Sequence, residues 1–289
     1  MTVNQVEDSV AIVSGSSMGI GKAIATELGR KGAKVVLNGR DVEKLRRTES
    51  ELLALGLDVS SCAADIRYPA QCEKLVKAAI DRYGKLDIVV NNAGLTSRGS
   101  IENMAMSNIE DVIATNYCGP AYLTKQAIPY LRKTQGHIIY VNSVGGFRGF
   151  PYNAAYTASK MAQAALADAV RIELFDDGIH VGLVHVGFTK NDPRKTILDV
   201  DGSRVFMPKR TNVHLASPES VAKSICQMIE SRTSKITLSR LGHLTEFLTR
   251  YLPRLSNWYL QTMRAKVKTD YTLLGGRKVA QELPSGAPV

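Results

Sequence analysis

Val10-Ala11-Ile12-Val13 runs into Ser14-Gly15-Ser16-Ser17-Met18-Gly19-Ile20-Gly21 and on into Lys22-Ala23-Ile24-Ala25: an apolar β-branched run, a glycine-rich bend, then an amphipathic stretch. A strand feeding a helix through small residues leaves backbone amides open at the helix N-terminus, where the helix dipole favours a phosphate. The Gly-xxx-Gly-x-Gly spacing is not the more familiar Gly-x-Gly-xx-Gly, and by itself it fits an ordinary tight turn as well. Its surroundings decide between the two.

Around this bend the first 190 residues alternate β-branched runs (10–14, 34–38, 59–63, 86–91, 137–142, 180–186) with helical patterns (20–31, 42–55, 69–83, 108–132, 154–175). That alternation predicts an α/β fold, a doubly wound, Rossmann-like parallel sheet with helices on both faces. Gly32, Gly56 and Gly84 fall just past three of the helices, where a left-handed cap needs no side chain. Beyond Gly187 the pattern loosens: 190–215 is polar and mixed, 218–231 reads as a helix and 236–238 as a short strand. The expected division is a catalytic dinucleotide-binding domain over 1–239 and a basic amphipathic extension over 240–289, of which 274–289 reads as a mobile tail.

With 289 residues, 44% hydrophobic and 22% charged, the chain is globular and neither disordered nor fibrous. Its formal charge of +10 raises the question of a nucleic-acid or membrane partner, but Arg240 to Val289 holds eight basic and three acidic residues, half the excess. No secretory signal fits the polar start, and no apolar run is long enough to span a bilayer. Cys62, Cys72, Cys118 and Cys226 form no CxxC pair and read as reduced thiols, while His137, His180, His185, His214 and His243 lack metal-ligand spacing. No metal is expected.

Three further motifs appear in order: Asn91-Asn92-Ala93-Gly94 after the fourth strand, Ser143 after the fifth, and Tyr156-Thr157-Ala158-Ser159-Lys160 opening a long helix 13 residues later. With the glycine turn, this set resembles the short-chain dehydrogenase/reductase family, in its compact single-domain branch, over about residues 10–239. The resemblance implies that Gly15, Ser17, Gly19, Ile20 and Gly21 surround a nicotinamide cofactor's diphosphate. It implies Asp65 and Ile66 at the adenine and Asn92, Ala93 and Gly94 along the adenosine. Gly187, Phe188 and Thr189 would face the carboxamide, although Val186 stands where the family usually has proline.

Reducing a ketone with a nicotinamide requires a proton donor, and a free phenol with a pKa near 10 is a poor one at neutrality. Tyr156 and Lys160 are spaced i, i+4 on one helix face, so an ammonium there favours phenolate. The family pattern makes Tyr156 the proton donor and gives Lys160 the nicotinamide ribose. Ser143 binds the substrate oxygen, and Asn116 is a fourth catalytic residue that anchors a water at a local helix distortion. After the second strand, Gly39 takes the acidic position that would bind the ribose of NAD, and Arg40 follows, which favours the 2′-phosphate of NADP. Met18 is not the second base that many NADP users carry. NADP is the expected cofactor. The alternatives are an NAD-dependent alcohol dehydrogenase working oxidatively and a catalytically idle cofactor-binding regulator on the same fold.

Apolar residues in 144–151 and 205–208 suit a hydrophobic, lipid- or steroid-like ketone or secondary alcohol, or are simply packing. In the extension Leu244, Phe247, Leu248, Tyr251, Leu252, Leu255, Trp258, Tyr259 and Met263 recur at steps of three and four amid Arg250, Arg254, Arg264, Lys266 and Lys268. Pro253 should split the stripe into two short helices or one kinked one. Residues 243–268 therefore read either as an interfacial segment on an anionic membrane or as a cover docked on the substrate cleft or a second subunit. The expected protein is a cytoplasmic homo-oligomer, peripheral at a membrane surface in the first reading, with no nucleic-acid partner.

Overall fold

The computed structural model describes residues 6–207 and 215–272. Seven strands form one parallel sheet in the order β3-β2-β1-β4-β5-β6-β9. They are β1 (Val10–Val13), β2 (Lys34–Gly39), β3 (Val59–Ala63), β4 (Ile88–Asn91), β5 (His137–Ser143), β6 (His180–Val186) and β9 (Lys235–Thr237). β1, β4 and β6 are buried along their whole length, as strands covered on both faces must be.

Alternate residues of the strands feed two apolar cores. On one face Val13, Val35 and Val184 pack with α1 (Gly19–Arg30), α2 (Val42–Leu53) and α7 (Pro218–Ser231). On the other, Ile12, Val89 and Ile138 pack with α3 (Pro69–Tyr83), α5 (Gly119–Thr134) and α6 (Ala154–Glu173). Gly32, Gly56 and Gly84 all have positive φ just beyond their helices, as the punctuation predicts. The chain winds outward from β1 to β3 and then returns to β4, so the carboxyl ends of β1 and β4 border the crevice of a doubly wound sheet.

Three expectations need correction. The helix expected over 108–132 is two helices, α4 (Met106–Ile113) and α5, joined by a π turn at Ala114–Cys118. The segment 190–215 is not without regular structure, because β7 (Thr196–Leu198) and β8 (Arg204–Phe206) pair as an antiparallel hairpin. The extension forms three helices: α8 (Arg240–Tyr251), α9 (Pro253–Thr262) and α10 (Arg264–Thr272). Pro253 makes the first break, since proline fits the first turn of a new helix and cannot continue an old one. Residues 274–289, Pro208 and His214 lie outside the described residues.

Candidate active site

At the edge of the crevice the β4 end grips the glycine turn. The hydroxyl of Ser14 accepts from the amides of Asn92 (3.0 Å) and Ala93 (3.1 Å), and the Asn92 side-chain amide donates to the carbonyls of Ser14 and Gly15 (2.9 and 3.1 Å). Gly15 has φ +64°, and a Cβ there would lie 2.8 Å from Cα of Ala93. A Cβ on Gly21 would overlap the Gly15 carbonyl and the Asn92 amide. Helix α1 starts at Gly19 with Met18 as an N-cap that offers no side-chain bond, so its first N–H groups stay open for an anion. This cradle of close backbone and uncapped amides fits a diphosphate, with Ser17 and Ile20 half-buried beside it.

Asp65 follows β3, and Arg67 holds its carboxylate through Nε (2.9 Å) and Nη2 (2.8 Å). Arg67 also pairs with Asp111 of α4. Burial raises the pKa of Asp65, but the bonds and charge of Arg67, with the charge of Arg40, outweigh it and hold the group below its ordinary value. Arg40 leans toward Asp65, with Nη1 3.7 Å from its carboxylate. Ile66 is buried and packs near Gly119 at the start of α5.

The reactive candidates gather where β5 ends and α6 begins. Ser143 ends the strand, and its hydroxyl accepts from the Gly145 amide at 3.1 Å. A Cβ on Gly145 would lie 3.3 Å from the Tyr156 ring and 3.7 Å from the Ser143 hydroxyl, so the phenol ring and the hydroxyl flank this one glycine. The ring packs with Leu95, Met104, Val112, Ala155 and Leu198. Lys160 is buried, and its ammonium donates to the Val141 carbonyl (2.9 Å) and to Oε1 of Gln163 (3.1 Å). Burial, with the nearby charge of Lys195, lowers its pKa to about 7.

Asn116 sits within the π turn and is fully buried. Its carboxamide accepts from the Leu95 amide (2.7 Å) and donates to the Leu95 carbonyl (2.8 Å) and the Ser159 hydroxyl (2.9 Å). Gly94 lies against it. Gln163, which the motifs do not single out, joins the two halves: its Oε1 takes Lys160 and Asn142, and its Nε2 donates to the Asn116 carbonyl at 3.1 Å. The available signal was its position three residues after Lys160, on the same helix face.

The segment after β6 reaches across the crevice. Thr189 bridges Ala216, its hydroxyl donates to the Gly187 carbonyl at 3.4 Å, and Gly187 abuts Ser239. Farther on, Asp192 and Arg194 line one recess with Ser17, Met18, Lys22, Lys44, Arg47, Thr48 and Glu51, on the far side of the glycine turn. The extension flanks the other end: α8 packs on the turn Val144–Gly146, and Arg148 donates to Ser256 and Asn257 of α9. Among the described residues no three His, Cys, Asp or Glu side chains gather as a metal site, and no helix is long and apolar enough to cross a membrane.

Residues 9–200 match the family model of the short chain dehydrogenases. The chain belongs to the short-chain dehydrogenase/reductase family. Its members are oxidoreductases acting on CH–OH groups with a nicotinamide cofactor, and the α/β architecture is theirs. The dehydrogenase/reductase SDR family member 7B of Danio rerio is 30% identical over 271 residues, covering 91% of this chain and 88% of its own. The 11-beta-hydroxysteroid dehydrogenase-like 4A of Arabidopsis thaliana is 36% identical over 189 residues, 65% of this chain and 63% of its own. A metagenomic short-chain oxidoreductase solved in complex with NADP superimposes with a TM-score of 0.66 at 30% identity, covering 81% of this chain and 97% of that one.

Proposed function

We propose that this family member is an NADP-dependent oxidoreductase that interconverts a hydrophobic ketone and its secondary alcohol. The observation that carries the reading is the meeting of the Tyr156 ring and the Ser143 hydroxyl at Gly145, with buried Lys160 one turn farther along α6. The cofactor, when bound, supplies or accepts the hydride. Ser143 then donates to the substrate oxygen as charge develops there, and Tyr156 delivers a proton to that oxygen in reduction and takes it back in oxidation. Lys160 favours the phenolate by its charge, and Gln163 with Asn116 holds Lys160 in place. The apolar cluster of Leu95, Met104 and Leu198 around the ring, and the steroid-named relative, support a lipid- or steroid-like substrate.

Arg40 after Gly39 favours NADP over NAD, as does the NADP bound by the metagenomic neighbour. Tyr156→Phe should lower kcat at least about 100-fold while NADPH still binds, because proton transfer by a placed group contributes on that scale. Retained turnover across a panel of ketones differing in chain length and ring content would overturn the assignment.

The extension presents Leu241, Leu244, Phe247, Tyr251, Leu255, Trp258 and Tyr259 to the surface, with Tyr251 63% and Trp258 59% exposed. This row among basic side chains supports attachment to an anionic membrane surface next to the substrate cleft; packing against a second subunit is the competing outcome.

A further inference from the structure

β4 ends opposite Tyr140, and beyond that point the ladder of β5 continues on its β6 side through Val141, Asn142 and Ser143. Side chains take up backbone groups at this strand end. The Val141 carbonyl takes Lys160, the Ser143 amide donates to Oδ1 of Asn142 at 2.6 Å, and the Ser143 carbonyl meets Nδ1 of His185 at 3.0 Å. His185 lies across from Asn142 in the register of β6 and is 1% exposed. A carbonyl only accepts, so the bond requires a proton on Nδ1. Burial lowers the pKa of the ring below its ordinary 6.5, and a neutral imidazole has one N–H to give, which this contact takes.

The ring is held in that pose from its surroundings. Phe147 stacks on it with centroids 4.0 Å apart and planes 24° apart, and a Cβ on Gly146 would come 3.3 Å from its Cε1, so the turn after Ser143 closes on the imidazole. Lys235 of β9 lies 5.2 Å over the Phe147 ring and pairs with Glu246 of α8, which also takes the Thr237 hydroxyl at 3.1 Å. We propose that His185 is a positioning residue for the reaction: its Nδ1–H fixes the Ser143 carbonyl, and with it the hydroxyl that meets the Tyr156 ring at Gly145. Ser143 is then held at its amide by Asn142, at its carbonyl by His185 and at its hydroxyl oxygen by the Gly145 amide, which leaves the hydroxyl proton to donate to a substrate. The inference rests on the role given to Ser143 above.

Steady-state kinetics with NADPH and whichever ketone turns over fastest, in a panel from cyclohexanone to a 3-ketosteroid, test it. His185→Phe keeps a ring for the stack and removes the donor, whereas His185→Asn loses the stack and keeps an N–H near the place of Nδ1. His185→Phe should lower kcat about tenfold to 100-fold, the scale of a misplaced oxyanion donor, with NADPH affinity unchanged within about twofold, which also shows that it has folded. His185→Asn should recover most of that loss. In a Ser143→Ala background the His185→Phe change should cost under about twofold, since a residue acting through Ser143 has nothing left to position. An equal loss in both backgrounds would overturn the inference and leave Ser143 and Tyr156 in their roles. Spectra of the 15N-histidine-labelled protein give a readout that needs no substrate: the His185 ring should be neutral with its proton on Nδ1, and a proton on Nε2 alone would overturn the bond. Full turnover by Ser143→Ala itself would instead remove the role given to Ser143.

Discussion

Replacing Lys160 with methionine should make the cofactor-free protein more stable while removing its activity. The ammonium is fully buried with only neutral acceptors bonded to it, and burial takes its pKa from the ordinary 10.5 to about 7. At about 1.36 kcal/mol per pKa unit, the charged form costs the fold about 5 kcal/mol below pH 7 and about 4 kcal/mol at pH 7. The sign follows from the lowered pKa of a base: the cost is full where both states are charged and fades as pH rises toward 10.5, where both are neutral. Methionine has similar reach and removes the cost, but it forfeits two hydrogen bonds worth about 1 kcal/mol each. The net gain at pH 7 is about 2 kcal/mol, or roughly 4–8 °C in Tm for a domain of this size, and it should vanish near pH 9. Thermal melts of both proteins at pH 7 and pH 9 without cofactor measure it. A variant less stable at pH 7, or a difference that ignores pH, would refute the reasoning.

Gly21→Ala should cost both stability and cofactor binding, because its Cβ would overlap the Gly15 carbonyl and force the cradle open; wild-type NADPH affinity in the variant would argue against the cradle. His137 and His180 meet at 3.0 Å between their Nδ1 atoms, and burial holds both imidazoles well below the ordinary 6.5. Stability should therefore fall as pH drops below 6.5, by about 2 kcal/mol per histidine at pH 5 relative to pH 8. Urea titrations at the two values measure it, and His137→Phe should remove about half of the loss; an unchanged slope would rule out the pair as its source. Flotation with anionic vesicles at low salt should carry the intact chain and leave behind one lacking residues 243–289, and equal flotation of both would discard membrane attachment through the extension.

The alternation of strands and helices in this fold was readable because its signals are local. β-branched runs, caps such as Gly84 and the i, i+4 pair Tyr156/Lys160 all act within a few residues. The π turn was signalled only by the family resemblance, which put a local helix distortion at Asn116; the apolar spacing over 108–132 did not show it. β7 and β8 escaped because each offers only three residues, and their pairing, Thr196 with Phe206, has no alternation to announce it. The recess beyond the glycine turn could not be read at all, since Lys22, Arg47 and Asp192 come together only through the crossing of three separate segments.

That crossing sets a length. From β6 the segment passes the ends of β5 and β4 to reach the flank of β1 and β2, about 14 to 19 Å away at one strand spacing per step. The six steps of chain from Val186 to Asp192 span about 20 Å when extended. Fully extended, the strap would cover that distance with about 1 to 6 Å to spare, with Gly187 and Thr189 near one end and Asp192 at the other. Removing a single residue between them takes away about 3.3 Å, a large share of that margin. Chain length in this one loop thus sets an upper limit on how far the candidate reactive corner can stand from the cationic recess.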